Sequence, residues 1–153
     1  MTKTHYEKFN ELNIDFFECA RMSLLDPLAF DISNDVKWIK LNEKWNYSKF
    51  PVVIGGSGQP ILLLHGFDSS FLEFRRIYPL LKKNYQLIIP DLLGFGFSPR
   101  CAMKDYSPSK MISHLIDILK KLKINKKIKV VGASMGGSTA IKLAYEIPEY
   151  IDK

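Results

Sequence analysis

The stretch Val130-Val131-Gly132-Ala133-Ser134-Met135-Gly136-Gly137 decides the reading of this chain. An apolar run over 128–131 predicts a buried strand, and the residues after Gly136 are helix formers. Between them stands G-x-S-x-G, the pattern of a turn so sharp that the serine Oγ projects above the end of a sheet. Small residues on both flanks let strand and helix backbones approach closely. The competing reading is a serine that only caps the helix beginning near Gly136. Nineteen residues follow Ser134, and none of them is a histidine.

Working outward, short apolar runs at 61–64 and 87–89 read as further strands buried on both faces. Each alternates with a helical pattern, which predicts a doubly wound, mostly parallel α/β sheet. Residues 36–41 and 50–54 read as a pair of strands at its start, and Gly55-Gly56-Ser57-Gly58 as a turn. No Gly-Lys-Ser/Thr follows, so this is no phosphate-binding loop. Ser70-Phe71-Leu72-Glu73 has the form of a capping box opening a helix, with Phe71, Phe74, Tyr78 and Leu81 as its buried stripe. Ser107-Pro108 opens another, with Met111, Leu115, Ile118 and Leu122 buried. Gly94-Phe95-Gly96 lacks the third glycine of a dinucleotide fingerprint. Residues 5–25 read as an amphipathic helix with Phe9, Leu12, Phe16, Ala20 and Leu24 on the packing face, ended by Asp26-Pro27. Residues 1–35 are accordingly an N-terminal helical extension, and 36–153 the α/β unit.

The 153 residues fit one domain with a core of its own. No apolar run approaches the roughly 20 residues of a membrane span, and Glu7, Glu11, Asp15 and Glu18 break any signal-peptide pattern. The expectation is a soluble protein of the cytoplasm or an organellar stroma or matrix. Cys19 and Cys101 read as free thiols of a reducing compartment or as one disulfide. The net charge of +6 gathers in Lys120, Lys121, Lys123, Lys126, Lys127 and Lys129. With no aromatic residues interleaved for base stacking, these read as a solvated helix end rather than a nucleic-acid site.

His65-Gly66 closes the strand at 61–64. One reading is a structural histidine in a tight turn; the other is an oxyanion loop, where a backbone N–H meets a developing negative charge, and the donors would then be the amides of Phe67 and Met135. A histidine held in that loop does not serve as a base. His114 shares a helix face with Lys110, Asp117 and Lys121, which predicts a solvated side chain. His5 precedes the fold. Three histidines without metal-ligand spacing predict no metal site, and nothing in the sequence asks for a cofactor.

Leu62-Leu63-Leu64-His65-Gly66-Phe67, Asp91-Leu92-Leu93-Gly94-Phe95-Gly96-Phe97-Ser98 and Gly132-Ala133-Ser134-Met135-Gly136-Gly137, in this order, resemble the α/β-hydrolase superfamily over about residues 36–153. The resemblance implies an eight-stranded sheet in the order 1-2-4-3-5-6-7-8 and a Ser…Asp/Glu…His triad. It makes Ser134 the nucleophile, Phe67 and Met135 the amide donors, and His65, Gly66, Gly132 and Gly136 their supports. Members include esterases, lipases, carbon–carbon bond hydrolases, cofactor-free peroxidases and acyltransferases.

By the same resemblance, strands six to eight, the triad acid and the histidine fall beyond Lys153, and Asp152 is too close to the elbow to be that acid. The expected architecture is therefore a truncated α/β-hydrolase fold, acting on a small-molecule ester or related acyl bond once completed. The isolated chain is expected to be nearly inactive. The alternative is a non-catalytic remnant serving as a binding or scaffold module. In either case residues 128–131 should form an apolar sheet edge, and Leu62 and Leu64 should underlie an uncovered face. Such a chain should associate with itself or with a complementing chain.

Overall fold

A computed structural model describes residues 5–46, 48–100, 105–124 and 126–152. Five strands form one sheet: β1 (Val36–Lys40), β2 (Lys49–Gly55), β3 (Gln59–Leu64), β4 (Tyr85–Pro90) and β5 (Lys129–Gly132). Their order across the sheet is β1-β2-β4-β3-β5, the first five places of the expected arrangement. β3 is parallel to β4 and β5, whereas β2 is antiparallel to β1 and β4. One strand thus runs against the other four.

The alternation of β3 explains why its sequence is apolar throughout. Leu62 and Leu64 join Val52, Ile88, Leu115 and Leu143 on one face. Ile61 and Leu63 join Phe17, Ile32, Phe71 and Tyr78 on the other. Helices α4 (Pro108–Lys121) and α5 (Met135–Glu146) cover the first face. On the second lie α1 (His5–Met22), α2 (Pro27–Ser33), a 3₁₀ turn at Phe71–Phe74 and the short α3 (Tyr78–Leu81). Leu62 and Leu64 are fully buried, contrary to the expected bare face, because α4 and α5 alone suffice to cover them.

Three local readings are corrected. Asp26-Pro27 does not merely end a helix. α1 stops at Met22, and Asp26 accepts the Leu28 N–H at 2.9 Å to open α2. α1 packs through Asn10, Phe17 and its half-buried neighbours, while Leu12 and Phe16 are exposed. Asn10 and Asn13 dictate that face: the Asn10 Oδ1 accepts the Lys49 N–H and the Asn13 amide donates to the Phe97 carbonyl. The apolar stripe alone could not show these polar anchors.

His114 is the third correction. It is fully buried, not solvated. The polar face of α4 is roofed by Trp45, whose indole N–H donates to Asp117 at 2.7 Å and whose ring lies under the Lys110 ammonium at 4.6 Å. The His114 ring is sealed beneath, against Trp45 and Phe50, with ring centroids 5.1 and 4.2 Å away. Among the described residues neither ring nitrogen has a hydrogen-bond partner. Burial drives its pKa down to about 3, with Asp117 opposing and Lys44 assisting.

β5 is an edge strand, and the chain returns to it. After α5 and a 3₁₀ turn at Pro148–Tyr150, Ile151 bridges Ile128 in parallel. The Ile128 N–H donates to Tyr150 O and the Asp152 N–H to Ile128 O, each at 2.8 Å. Among the described residues no helix is long and apolar enough to cross a membrane. Cys19 is exposed with its thiol free, and Cys101 lies outside the described residues.

Candidate active site

Ser134 joins the end of β5 to the start of α5 with φ 50° and ψ −117°. That backbone conformation is unfavourable for a residue with a side chain, at a cost on the order of 1–3 kcal/mol. Packing on both sides enforces it. A Cβ at Gly132 would overlap the Gly136 carbonyl, and one at Gly136 would overlap the carbonyls of Leu64 and His65. Only glycine at both positions lets β5, α5 and the end of β3 meet. The Ser134 side chain is exposed and makes no capping hydrogen bond, so it does not serve α5 as an N-cap.

The turn after β3 lies directly against this elbow. The Ala133 N–H donates to Leu64 O at 3.0 Å, and a Cβ built on Gly66 would stand 3.5 Å from the Ser134 Cβ. His65 fixes the turn. Its Nε2 accepts the Leu92 N–H at 2.9 Å, so Nδ1 carries the proton and donates to Gly66 O at 2.8 Å. Burial holds its pKa below the ordinary value, against the Gly66 hydrogen bond and the Glu73 charge. The Asp91 carboxylate 4.0 Å from Nε2 is therefore no ion-pair partner. With both nitrogens committed and the ring fully buried, His65 cannot take a proton from Ser134.

Two carboxyl groups of this network escape a sequence reading. Asp91 is buried and accepts the Phe71 N–H at 2.6 Å and the Phe97 N–H at 2.7 Å, stitching the two loops together. Its pKa is pushed up to about 7, because burial outweighs those bonds and the Arg100 charge. Glu73 was expected to close a capping box with Ser70. Ser70 does cap, accepting the Leu72 N–H at 3.3 Å, but Glu73 accepts the Gly66 N–H at 2.8 Å instead. The motif's spacing was correct, while its second partner sits seven residues back in the chain.

Gly66 is thus engaged, while the amides of Phe67 and Met135 make no hydrogen bond among the described residues. Both residues line a cavity of about 570 Å³ together with Phe95, Tyr106, Met111 and Ile112, a size suited to a small organic ligand. An exposed hydroxyl beside two uncommitted N–H groups and an apolar cavity is an arrangement able to receive an acyl carbonyl. Neither His65 nor His114 can serve Ser134 as a base, since His65 is committed within its turn and His114 is sealed beneath Trp45. Among the described residues no cluster of three His, Cys, Asp or Glu side chains is disposed to hold a metal ion.

Sheet order, elbow and adjoining His-Gly turn together define a hydrolase-type α/β fold. The chain belongs to the alpha/beta hydrolase fold family, whose sequence model matches residues 59–153. It is similar to the 2-hydroxymuconate semialdehyde hydrolase of Pseudomonas sp. (strain CF600), with 34% identity over 99 residues, covering 63% of this chain and 35% of that protein. Lipase 1 of Psychrobacter immobilis is 39% identical over 93 residues, covering 61% of this chain and 29% of the lipase. A solved meta-cleavage product hydrolase from Pseudomonas fluorescens IP01 superposes with a TM-score of 0.69 at 33% identity, covering 76% of this chain and 42% of that one. The chain spans about a third of the length of the curated relatives it matches.

Proposed function

We propose that this chain carries the nucleophile and oxyanion-binding part of a serine hydrolase acting on an ester or related acyl bond. The observation that carries the reading is Ser134 in its strained elbow, beside the unengaged amides of Phe67 and Met135. Ser134 Oγ attacks the substrate carbonyl carbon while its proton passes to a base. The carbonyl oxygen takes up the negative charge and accepts from the two amides. Collapse of the tetrahedral intermediate breaks the bond to the leaving group, and water then releases the acyl group from Ser134. The relatives' names, a hexadienoic acid hydrolase, a 2-hydroxymuconate semialdehyde hydrolase and a lipase, are those of hydrolases.

In this reading the base is supplied by polypeptide other than the described residues, a further segment or a complementing chain. A second reading, a binding or scaffold module without catalysis, draws on the same missing base and on the exposed side chains of Ile141 and Tyr145. Exposed Cys19 favours a reducing compartment, cytoplasm or an organellar stroma or matrix.

Ester turnover decides between the two readings. Hydrolysis of p-nitrophenyl acetate by the chain alone is expected at trace level, since losing triad members typically lowers kcat by about 10⁴- to 10⁶-fold. Added imidazole, standing in for the base, is expected to raise the rate above that of Ser134→Ala under the same conditions. Equal rates for the two would remove Ser134 as a nucleophile. Robust turnover without imidazole would show that a base is already present.

A further inference from the structure

The cavity beside Ser134 has a one-sided charge. Most of its wall is apolar, from Phe67, Leu93, Phe95, Met111, Ile112 and Met135. Among the described residues, its charged lining residues are Arg100 and Lys142, both cationic, and no carboxylate lines it. Lys142 lies on the same helix as the elbow, eight residues beyond Ser134, about 12 Å along the axis. Among the described residues it pairs with Glu146 at 3.4 Å, on a half-exposed surface where such a pair holds a side chain weakly. Arg100 is more committed: its Nε and Nη2 donate to the carbonyls of Gly94 and Gly96. It contributes positive field while keeping the loop in place. Lys142 is the cation able to turn to a ligand.

We propose that this cavity takes an amphipathic monocarboxylate, its apolar body along Met111 and Met135 and its carboxylate on Lys142. Placed so, the end of the body opposite the carboxylate reaches Ser134. For the reaction proposed above, the acyl group would then be one whose far end is a carboxylate. Only this orientation rests on the nucleophile reading; binding itself does not. A neutral acyl chain would fill the same walls but leave Lys142 without an anion. A cationic one would meet like charge from two residues.

The test uses the chain as it stands, with methionine methyl groups labelled for NMR and octanoate as the probe. Octanoate is expected to shift the Met111 and Met135 methyl signals and leave exposed Met22 in place. It should bind about tenfold more tightly than octanamide, the difference a single charge-assisted hydrogen bond supplies, and octylammonium should not bind. Lys142→Met is expected to erase that advantage and leave octanamide unaffected, while Lys142→Arg retains it. Equal affinity for octanoate and octanamide, an unchanged Lys142→Met, or no shift at Met111 and Met135 would each overturn the inference. Octanoate has no bond to transfer. Octanoate binding without acetylation of Ser134 by p-nitrophenyl acetate and imidazole would therefore leave this inference standing and reject the nucleophile reading, and acetylation of Ser134 by that ester without octanoate binding would do the reverse.

Discussion

At one edge of the sheet β1 offers solvent the ammonium groups of Lys37 and Lys40; at the other, β5 offers Val131, which is 49% exposed. The first edge is closed by rules that keep strands from pairing further, with charge on the outermost strand. Behind it, Trp45 and Phe50 are fully buried. Among the described residues the second edge carries the bridge of Ile128 to Ile151 and the flanking ion pair of Lys129 with Asp152 at 2.5 Å. Beside it on α5 stand Ile141 and Tyr145, 75% and 84% exposed. The candidate site lies between these two conditions. Its glycines, His65 and Asp91 belong to the closed, interlocked part, and Ser134 faces the open part. A rigid elbow next to an open edge is what a site needs if its remaining groups arrive from elsewhere.

The largest expected effect tests the interlock. Gly136→Ala and Gly132→Ala each drive a Cβ into backbone carbonyls. Each should destabilise by about 4 kcal/mol or more, at the extreme of single substitutions, or leave no folded protein. Gly137→Ala, whose Cβ would meet nothing nearer than the Gly132 carbonyl at 3.4 Å, should be tolerated and gain up to about 1 kcal/mol of helix propensity. Urea denaturation of the three variants reads this contrast. Equal stability for all three would mean that β3, β5 and α5 do not meet as described.

Acid titration probes the closed side. His114 has a folded-state pKa of about 3 against an ordinary 6.5. Below 6.5 the unfolded chain binds a proton that the folded chain does not. Stability present above pH 6.5 is therefore lost as the pH falls toward 3. Asp91 has the opposite sign: its folded value of about 7 lies above an ordinary 3.8, so its contribution grows as the pH falls from 7 toward 3.8. Over pH 4 to 6.5 the two slopes, each about 1.4 kcal/mol per pH unit, offset one another. His114→Leu removes one of them. Relative to the parent, the variant should gain about 2 kcal/mol between pH 7 and pH 5. Parallel pH profiles would mean that His114 is solvated after all.

On the open side, sedimentation velocity at micromolar concentration should show self-association. A Val131→Lys, Tyr145→Lys double variant should need about tenfold higher concentration to associate. A monomeric parent would mean that the Ile128–Ile151 bridge and Lys129 already close the edge. The smallest effect belongs to the seam between the two regions. Glu73→Ala frees the Gly66 N–H and should cost about 1 kcal/mol, with Glu73→Gln recovering most of it, read by thermal unfolding.

What the sequence disclosed follows the same division. The turn at Gly132, Ser134 and Gly136 was legible because local backbone sterics decide it, and the α/β sheet because buried runs alternate with helices; the strand order followed only from the resemblance to the α/β-hydrolase superfamily. His114 was misread because Lys110, Asp117 and Lys121 make its face look wet. The roof comes from Trp45, about seventy residues away in sequence. Glu73 and the buried faces of α1 were misread for the same reason, since hydrogen bonds to Gly66, Lys49 and Phe97 override a local pattern. Asp91 was visible only as part of a motif; its burial and raised pKa need the loops that fold over it.

The central claim is the proposal that Ser134 is a nucleophile that reacts once a base is supplied. Peptide mass spectrometry after brief exposure to p-nitrophenyl acetate and imidazole tests it at the atom concerned. The account predicts an acetyl group on Ser134, absent without imidazole and absent in Ser134→Ala. Acetyl groups confined to surface lysines, with Ser134 unmodified in the presence of imidazole, would contradict it.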